Sequence, residues 1–204
     1  MCSLAASALA CERDDRVLFR DLAFAVNAGE VLFVEGRNGS GKTTLLHILA
    51  GMRRPDEGDV LWCGRAVGRF DSEFRAQVAF VGHTNGVKSD LSAQENLRVA
   101  RALSVPGVLH PDAALERVGL AGFEDVETRR LSAGQRRRVA LARLLVVAAP
   151  LWILDEPFSS LDRHGTALME ETVAWHVREG GLAVVTAHHE ADFRGAAVRR
   201  VVLS

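Results

Sequence analysis

Apolar residues along the chain fall into two periods. Leu22, Phe24 and Val26 alternate with small or polar neighbours, the spacing of a strand with one buried face. Residues 30–35 read Glu-Val-Leu-Phe-Val-Glu beside glycines, which predicts a short strand buried on both faces. Leu45, Leu46, Ile48 and Leu49 then take helical spacing over residues 43–50, and Gly51 supplies the stop. A turn over residues 53–58 and short strands at 59–63 and 78–82 follow. The pattern next becomes helical. Ser92-Ala-Gln-Glu95 and Ser132-Ala-Gly-Gln135 each place a serine at the N-cap and Glu or Gln three residues on, capping boxes ahead of apolar-periodic stretches. Pro111 suits the first turn of a helix between them. Beyond Pro150 the chain alternates: strand 151–155, helix about 163–179, strand 182–187, helix about 189–195, strand 197–203. Buried strands alternating with helices predict an α/β fold on an open, mostly parallel sheet. No repeat and no linker interrupts it, so residues 1–204 read as a single domain.

Composition narrows the function classes. Lys and Arg total 25 against 26 Asp and Glu, so the chain lacks the basic field that unspecific nucleic-acid binding uses, and no nucleic-acid partner is expected. A hydrophobic content of 48% with 25% charged residues excludes disorder. Cys2, Cys11 and Cys63 are odd in number and spaced without pattern, which predicts neither a disulfide framework nor a zinc site, and a reducing compartment. Residues 1–11 are small and apolar like a secretory leader but lack its basic start. The longest apolar run, 144–154, is 11 residues and contains Pro150, against the roughly 20 that a membrane span needs. Any work at a membrane therefore calls for a separate subunit. Only Lys42 and Lys88 are lysines, so a lysine inside a motif is informative.

Lys42 lies inside such a motif. Gly36-Arg37-Asn38-Gly39-Ser40-Gly41-Lys42-Thr43, continued by Thr44, follows the doubly buried strand and opens a helix. Glycines at these places let backbone N–H groups close around a phosphate, and the helix start adds partial positive charge. Lys42 is placed to reach the β- and γ-phosphates, and the Thr43 hydroxyl to ligate Mg²⁺. Residues 36–44 are thus the candidate nucleotide-binding segment, with ATP and Mg²⁺ as the expected ligands. Downstream, the apolar strand 151–154 ends in Asp155 and Glu156. Asp155 suits the metal, and Glu156 suits polarisation of an attacking water.

Between these two motifs stands Leu131-Ser132-Ala133-Gly134-Gln135. The set resembles the ATP-binding-cassette (ABC) ATPases, whose signature, LSGGQ, differs from it only at Ala133. The resemblance implies an ABC-type P-loop NTPase nucleotide-binding domain: an α/β core, an antiparallel β portion near the N-terminus, and a helical subdomain at about residues 91–130. It implies that Leu131 to Gln135 serve the ATP of a second copy, in a head-to-tail ATP-sandwich dimer, and that Glu156 is catalytic with Lys42. Ser159-Ser160-Leu161-Asp162 is similar to the loop that reports across that dimer. Residues 184–189 read Val-Val-Thr-Ala-His-His, and His188, with His189 as the next candidate, takes the place of the family's switch histidine at the γ-phosphate. Arg136, Arg137 and Arg138 after the signature are an ordinary family feature rather than a nucleic-acid patch. Two positions depart from the pattern. Arg13 stands where an aromatic residue stacks on adenine, a task a guanidinium plane can also perform. His83 stands where the family has a glutamine that serves the metal's water.

Softer residues go further. Segments 11–19, 34–42, 81–88, 119–126 and 149–158 resemble the ATP-binding subunits of the bacterial cytochrome c maturation system, classed as haem exporters. That resemblance implies ATP hydrolysis coupled to haem export or to release of a haem-loaded chaperone. It also implies integral membrane subunits of the cytochrome c maturation complex as partners, and a peripheral place on the cytoplasmic face of the inner membrane. An ATP-binding subunit for another transported substrate is the alternative.

Overall fold

The computed structural model describes residues 2–68, 71–187 and 191–203. The doubly apolar run becomes β3 (Glu30–Gly36), which lies in a five-stranded sheet with β6 (Val78–Val81), β7 (Leu151–Asp155), β8 (Leu182–Thr186) and β9 (Ala197–Leu203). The order is β6-β7-β8-β3-β9, and every pairing is parallel. All residues of β7 and β8 are buried, as strands covered on both faces must be. The strand period sorts their side chains into two cores. Phe33, Val81, Trp152, Leu154 and Val185 face one cluster, and Leu32, Val34, Ile153 and Val184 the other.

The first cluster is closed by helices. α3 (Ala93–Ala102), α4 (Pro111–Arg117) and a 3-10 turn, Thr128–Arg130, fall between β6 and β7, and they pack on α5 (Ala133–Leu145) through residues such as Leu97, Leu115 and Leu141. α6 (Arg163–Arg178) adds Met169, Val173 and Val177. Both capping boxes form: Ser92 and Ser132 accept from the backbone N–H of Glu95 and Gln135, whose side chains accept in return. The second cluster is closed by α1 (Lys42–Leu49), by the one-turn α2 (Ser72–Arg75), and by an antiparallel sheet of order β2-β1-β4-β5. That sheet comprises β1 (Ser3–Arg13), β2 (Arg16–Asn27), β4 (Glu57–Trp62) and β5 (Arg65–Ala66).

The fold class is the expected one: parallel sheet, antiparallel sheet and helices. Two expectations are corrected and one strand is added. Residues 3–13, to which the hydrophobic pattern assigned no element, form the central strand β1; its pairing shifts between Ala6 and Leu9, beside Ala8 at φ 47°, and this irregularity hides the two-residue period. Cys2 and Cys63 are joined as a disulfide with their Cα atoms 4.6 Å apart, because pairing of Leu4 with Trp62 brings the ends of β1 and β4 together across 61 residues. The helix expected at 189–195 is not seen in its described part: residues 191–195 hold no helix and turn through Gly195, at φ 77°, into β9. His188 and His189 lie outside the described residues. Among the described residues no helix is long and apolar enough to cross a membrane.

Candidate nucleotide site

The C-terminal ends of β3, β7 and β8 converge on one place. β3 ends at Gly36, where an added Cβ would meet the Ser40 Oγ at 2.5 Å and the Leu203 carbonyl at 2.7 Å, so the loop curls back with no room for a side chain. Gly41, left-handed at φ 97°, is the N-cap of α1, and no side chain caps that helix. Lys42 is buried, and its Nζ donates to the carbonyls of Gly36 at 2.8 Å and Arg37 at 3.2 Å, spanning the loop. The Ser40 Oγ is buried inside the loop without a hydrogen-bond partner. A helix start uncapped by side chains, a spanning ammonium and an orphaned hydroxyl suit an anion in the loop.

β7 brings the acidic pair to the same loop. Thr43 Oγ1 donates to Asp155 Oδ2 at 2.8 Å, which joins the start of α1 to the end of β7. Thr186, in register with Asp155 across the β7–β8 pair, donates to Asp155 Oδ1 at 2.8 Å and accepts from the Glu156 backbone N–H at 2.9 Å. The sequence reading gave Thr186 no role. Its signal was available, since it is a hydroxyl that closes an otherwise apolar strand. Glu156 itself is left-handed at φ 51°, which turns the chain sharply out of the strand.

These elements line a cleft of about 650 Å³ that brings Arg13, Asn38, Lys42, Thr43, His83 and Glu156 together. Gly39, Gly41 and Thr44 also line it, as does Arg16, which sequence reasoning did not single out. Gly36, Arg37 and Ser40 belong to the loop without lining the cleft. Arg13 is exposed at the rim, 3.4 Å from Asp14. The hydroxyl of Thr43 and the carboxylate of Asp155 are hard oxygen donors, which fits Mg²⁺, an ion that takes one or two protein groups and fills its shell with water and substrate phosphate. The His83 imidazole is a softer donor and fits that ion poorly. Among the described residues no cluster of three His, Cys, Asp or Glu forms a closed metal cage.

Leu131 to Gln135 are not part of this cleft. Leu131 is buried, Ser132 and Ala133 are exposed, and Gly134 packs so closely on the Ser160 carbonyl that an added Cβ would come within 2.8 Å. Arg138 reaches Asp162 Oδ1 at 2.8 Å, tying the segment 159–162 to α5. The Gly165 N–H, reinforced by Arg138, holds the Asp162 carboxyl below its ordinary range.

This is the architecture of a nucleotide-binding ATPase cassette, and the ABC transporter family profile matches residues 19–159. The chain belongs to the ABC transporter family, as an ATP-hydrolysing subunit. It is 48% identical to the cytochrome c biogenesis ATP-binding export protein CcmA of Methylococcus capsulatus, over 94% of this chain and 94% of that protein. It is 46% identical to the CcmA of Salmonella typhi, over 98% of this chain and 97% of that one. Among solved structures, the dimer of the ATP-binding cassette MJ0796 in a post-hydrolysis state with ADP and Pi is similar in fold, with a TM-score of 0.81 at 22% identity over 91% of this chain and 88% of that one.

Proposed function

We propose that this chain is the ATPase subunit of a membrane complex for cytochrome c biogenesis, and that it couples ATP hydrolysis to haem export or to release of a haem-loaded chaperone. The observation that supports this reading most is the meeting of phosphate loop and Glu156 in one cleft, with Asp155 held behind it by Thr43, in a chain with full-length likeness to CcmA proteins. Residues 1–204 act as a single ATP-binding domain whose helical subdomain is about 91–130. The loop N–H groups and Lys42 hold the phosphates, and Arg13 stacks on adenine. Thr43 and Asp155 hold Mg²⁺, which supplies charge neutralisation at the phosphates when bound. Glu156 orients a water whose oxygen attacks the γ-phosphorus in line while the bond to the β–γ bridging oxygen breaks, giving ADP and phosphate. His188 steadies the γ-phosphate, and His83 holds a water near the metal through its imidazole.

Leu131 to Gln135, which lie outside the chain's own cleft with Ser132 and Ala133 exposed, reach the ATP of a second copy in a head-to-tail dimer. Integral membrane subunits complete the complex, and the chain works peripherally at the cytoplasmic face of the inner membrane. The exposed apolar side chains of Val99, Leu103, Val105 and Val108, grouped at the end of α3 and the loop after it, support a partner docked there. The test is covalent-haem staining of c-type cytochromes in cells whose chromosomal copy carries Glu156→Gln at equal expression. Loss of the stained bands, with apoproteins still made and exported, is expected. Unchanged bands would remove the cytochrome c reading and favour a transporter for another substrate.

A further inference from the structure

Among the described residues, the buried cations are Lys42 and Arg137. Lys42 belongs to the loop. Arg137 is 1% exposed on α5, two residues past the signature glutamine, and no step above uses it. A guanidinium carries five N–H donors in a fixed fork. Arg137 makes five hydrogen bonds: Nε to the Pro157 carbonyl at 3.2 Å, Nη2 to the carbonyls of Asp155 at 2.9 Å and Glu156 at 2.7 Å, and Nη1 to the Gly82 carbonyl at 2.8 Å and Asn85 Oδ1 at 3.2 Å. Every acceptor is neutral. Burial pulls the guanidinium below its ordinary range, and the nearby charges of Asp155 and Glu156 work against that pull.

The fork joins three segments that have separate tasks. It sits on the helix whose start is the signature, it grips three consecutive carbonyls around Glu156, and it holds the loop that carries His83. Glu156 needs such a grip. Its left-handed backbone at φ 51° is strained for a residue with a side chain, so the surroundings must hold it there. Thr186 fixes the N–H of Glu156 and Arg137 fixes its carbonyl, so both ends of the residue are pinned. Arg143, farther along α5, donates to the Gly86 carbonyl at 2.8 Å and secures the other end of the His83 loop.

We propose that Arg137 is a positioning residue for ATP turnover: it holds Glu156 in its working conformation and ties that geometry to the signature helix and the His83 loop. The proposal rests on the reading of Glu156 as the group that orients water. An ammonium cannot reproduce the fork, so Arg137→Lys keeps the charge and loses the five-point grip. Misplacement of a catalytic group by about 1 Å can cost 100-fold in rate.

The test is single-turnover phosphate release from radiolabelled ATP by the full chain in four forms: wild type, Arg137→Lys, Glu156→Gln and the double variant. ATP affinity is measured alongside from fluorescence of a nucleotide analogue. Arg137→Lys is expected to slow release by about 10- to 100-fold with ATP affinity held within about threefold. In the Glu156→Gln background the same change is expected to add less than about threefold, because the group it positions is already disabled. An equal loss in both backgrounds, or a loss seen only in ATP affinity, would overturn the proposal and leave Arg137 a structural tie. Wild-type release by Glu156→Gln alone would instead overturn the reading of Glu156. Should Arg137→Lys not fold, Asn85→Ala, which removes one side-chain acceptor and no backbone carbonyl, takes its place in the same cycle. A severalfold slowing that vanishes beside Glu156→Gln supports the tie to the loop, and no slowing overturns it.

Discussion

α1 and α5 both begin at loops carrying serine and glycine, and both stand at the heart of the function, yet their N-termini are finished differently. α1 starts from a left-handed Gly41 with no side-chain cap, beside an orphaned Ser40 hydroxyl and the spanning Lys42. α5 starts from a closed capping box, Ser132 accepting from the Gln135 N–H at 3.2 Å and Gln135 accepting from the Ser132 N–H at 2.9 Å. An unfinished helix start suits a ligand delivered to the chain's own cleft. A finished, exposed start that lies outside the cleft is stable by itself and suits a ligand presented by another copy. Under the proposed two-copy arrangement, the contrast teaches that the helix start left unfinished marks the chain's own ligand, and the finished one marks the surface offered to another copy.

The largest expected effect breaks the unfinished side. Lys42→Ala removes the ammonium from the loop and is expected to lower ATP turnover by about 100-fold or more, as loss of a charge-stabilising donor does; steady-state phosphate release checks this, and retention of most activity would mean that the loop binds its anion without that lysine. The next effect falls on the support behind it. Thr186→Val keeps the shape and deletes the hydroxyl between Asp155 and the Glu156 N–H, leaving a buried donor unpaired. It is expected to cost about 1–3 kcal/mol of stability and to slow turnover by about tenfold or more. Thermal unfolding and turnover, measured on the same preparation, separate the two.

The smallest effect on turnover is expected at the opposite end of β7, where a change of stability leaves the site alone. His176 is stacked on Trp152 with ring centroids 3.8 Å apart and planes 5° apart, and its Nε2 is buried without a partner. Burial pulls its pKa from 6.5 down to about 4. Because the unfolded chain binds that proton and the folded one does not, stability is full above the unfolded value and falls as the pH drops toward 4. The loss at the lower end is about 3 kcal/mol. Denaturant melts from pH 7 to pH 4 should show His176→Phe, which keeps an aromatic ring against Trp152 and titrates nowhere, losing less over that range than wild type. Parallel pH profiles would show that the proton is taken up elsewhere.

Much of this molecule was legible in its sequence because its rules are local. The run at 30–35, the glycines at 36, 39 and 41, and both capping boxes act through backbone geometry within a few residues, and the structure holds them where the pattern set them. What was not legible depends on distant partners. β1 is hidden by a register shift that only its neighbours β2 and β4 enforce, and the Cys2–Cys63 bond spans 61 residues through the same sheet. Thr186 acquires its task from the β7–β8 register, and Arg137 from three segments brought together by folding, although in sequence it is one of three consecutive arginines. The helix expected at 189–195 does not form in its described part, where Phe193 is buried against Phe33 and Phe158 and the chain turns at Gly195, contacts that no local pattern announces.

The central claim is that each ATP is held between the loop of one copy and the signature of another. Mixing two inactive variants tests it most directly: Lys42→Ala, with an intact signature, and Ser132→Arg, with an intact phosphate loop, each purified alone and then combined at equal amounts in the assembled complex. In a head-to-tail dimer one of the two sites in every mixed pair regains both a working loop and a working signature. The account therefore predicts ATP turnover from the mixture where neither variant alone gives any. A mixture as inactive as its components would contradict it and place both motifs in the service of the same chain's nucleotide.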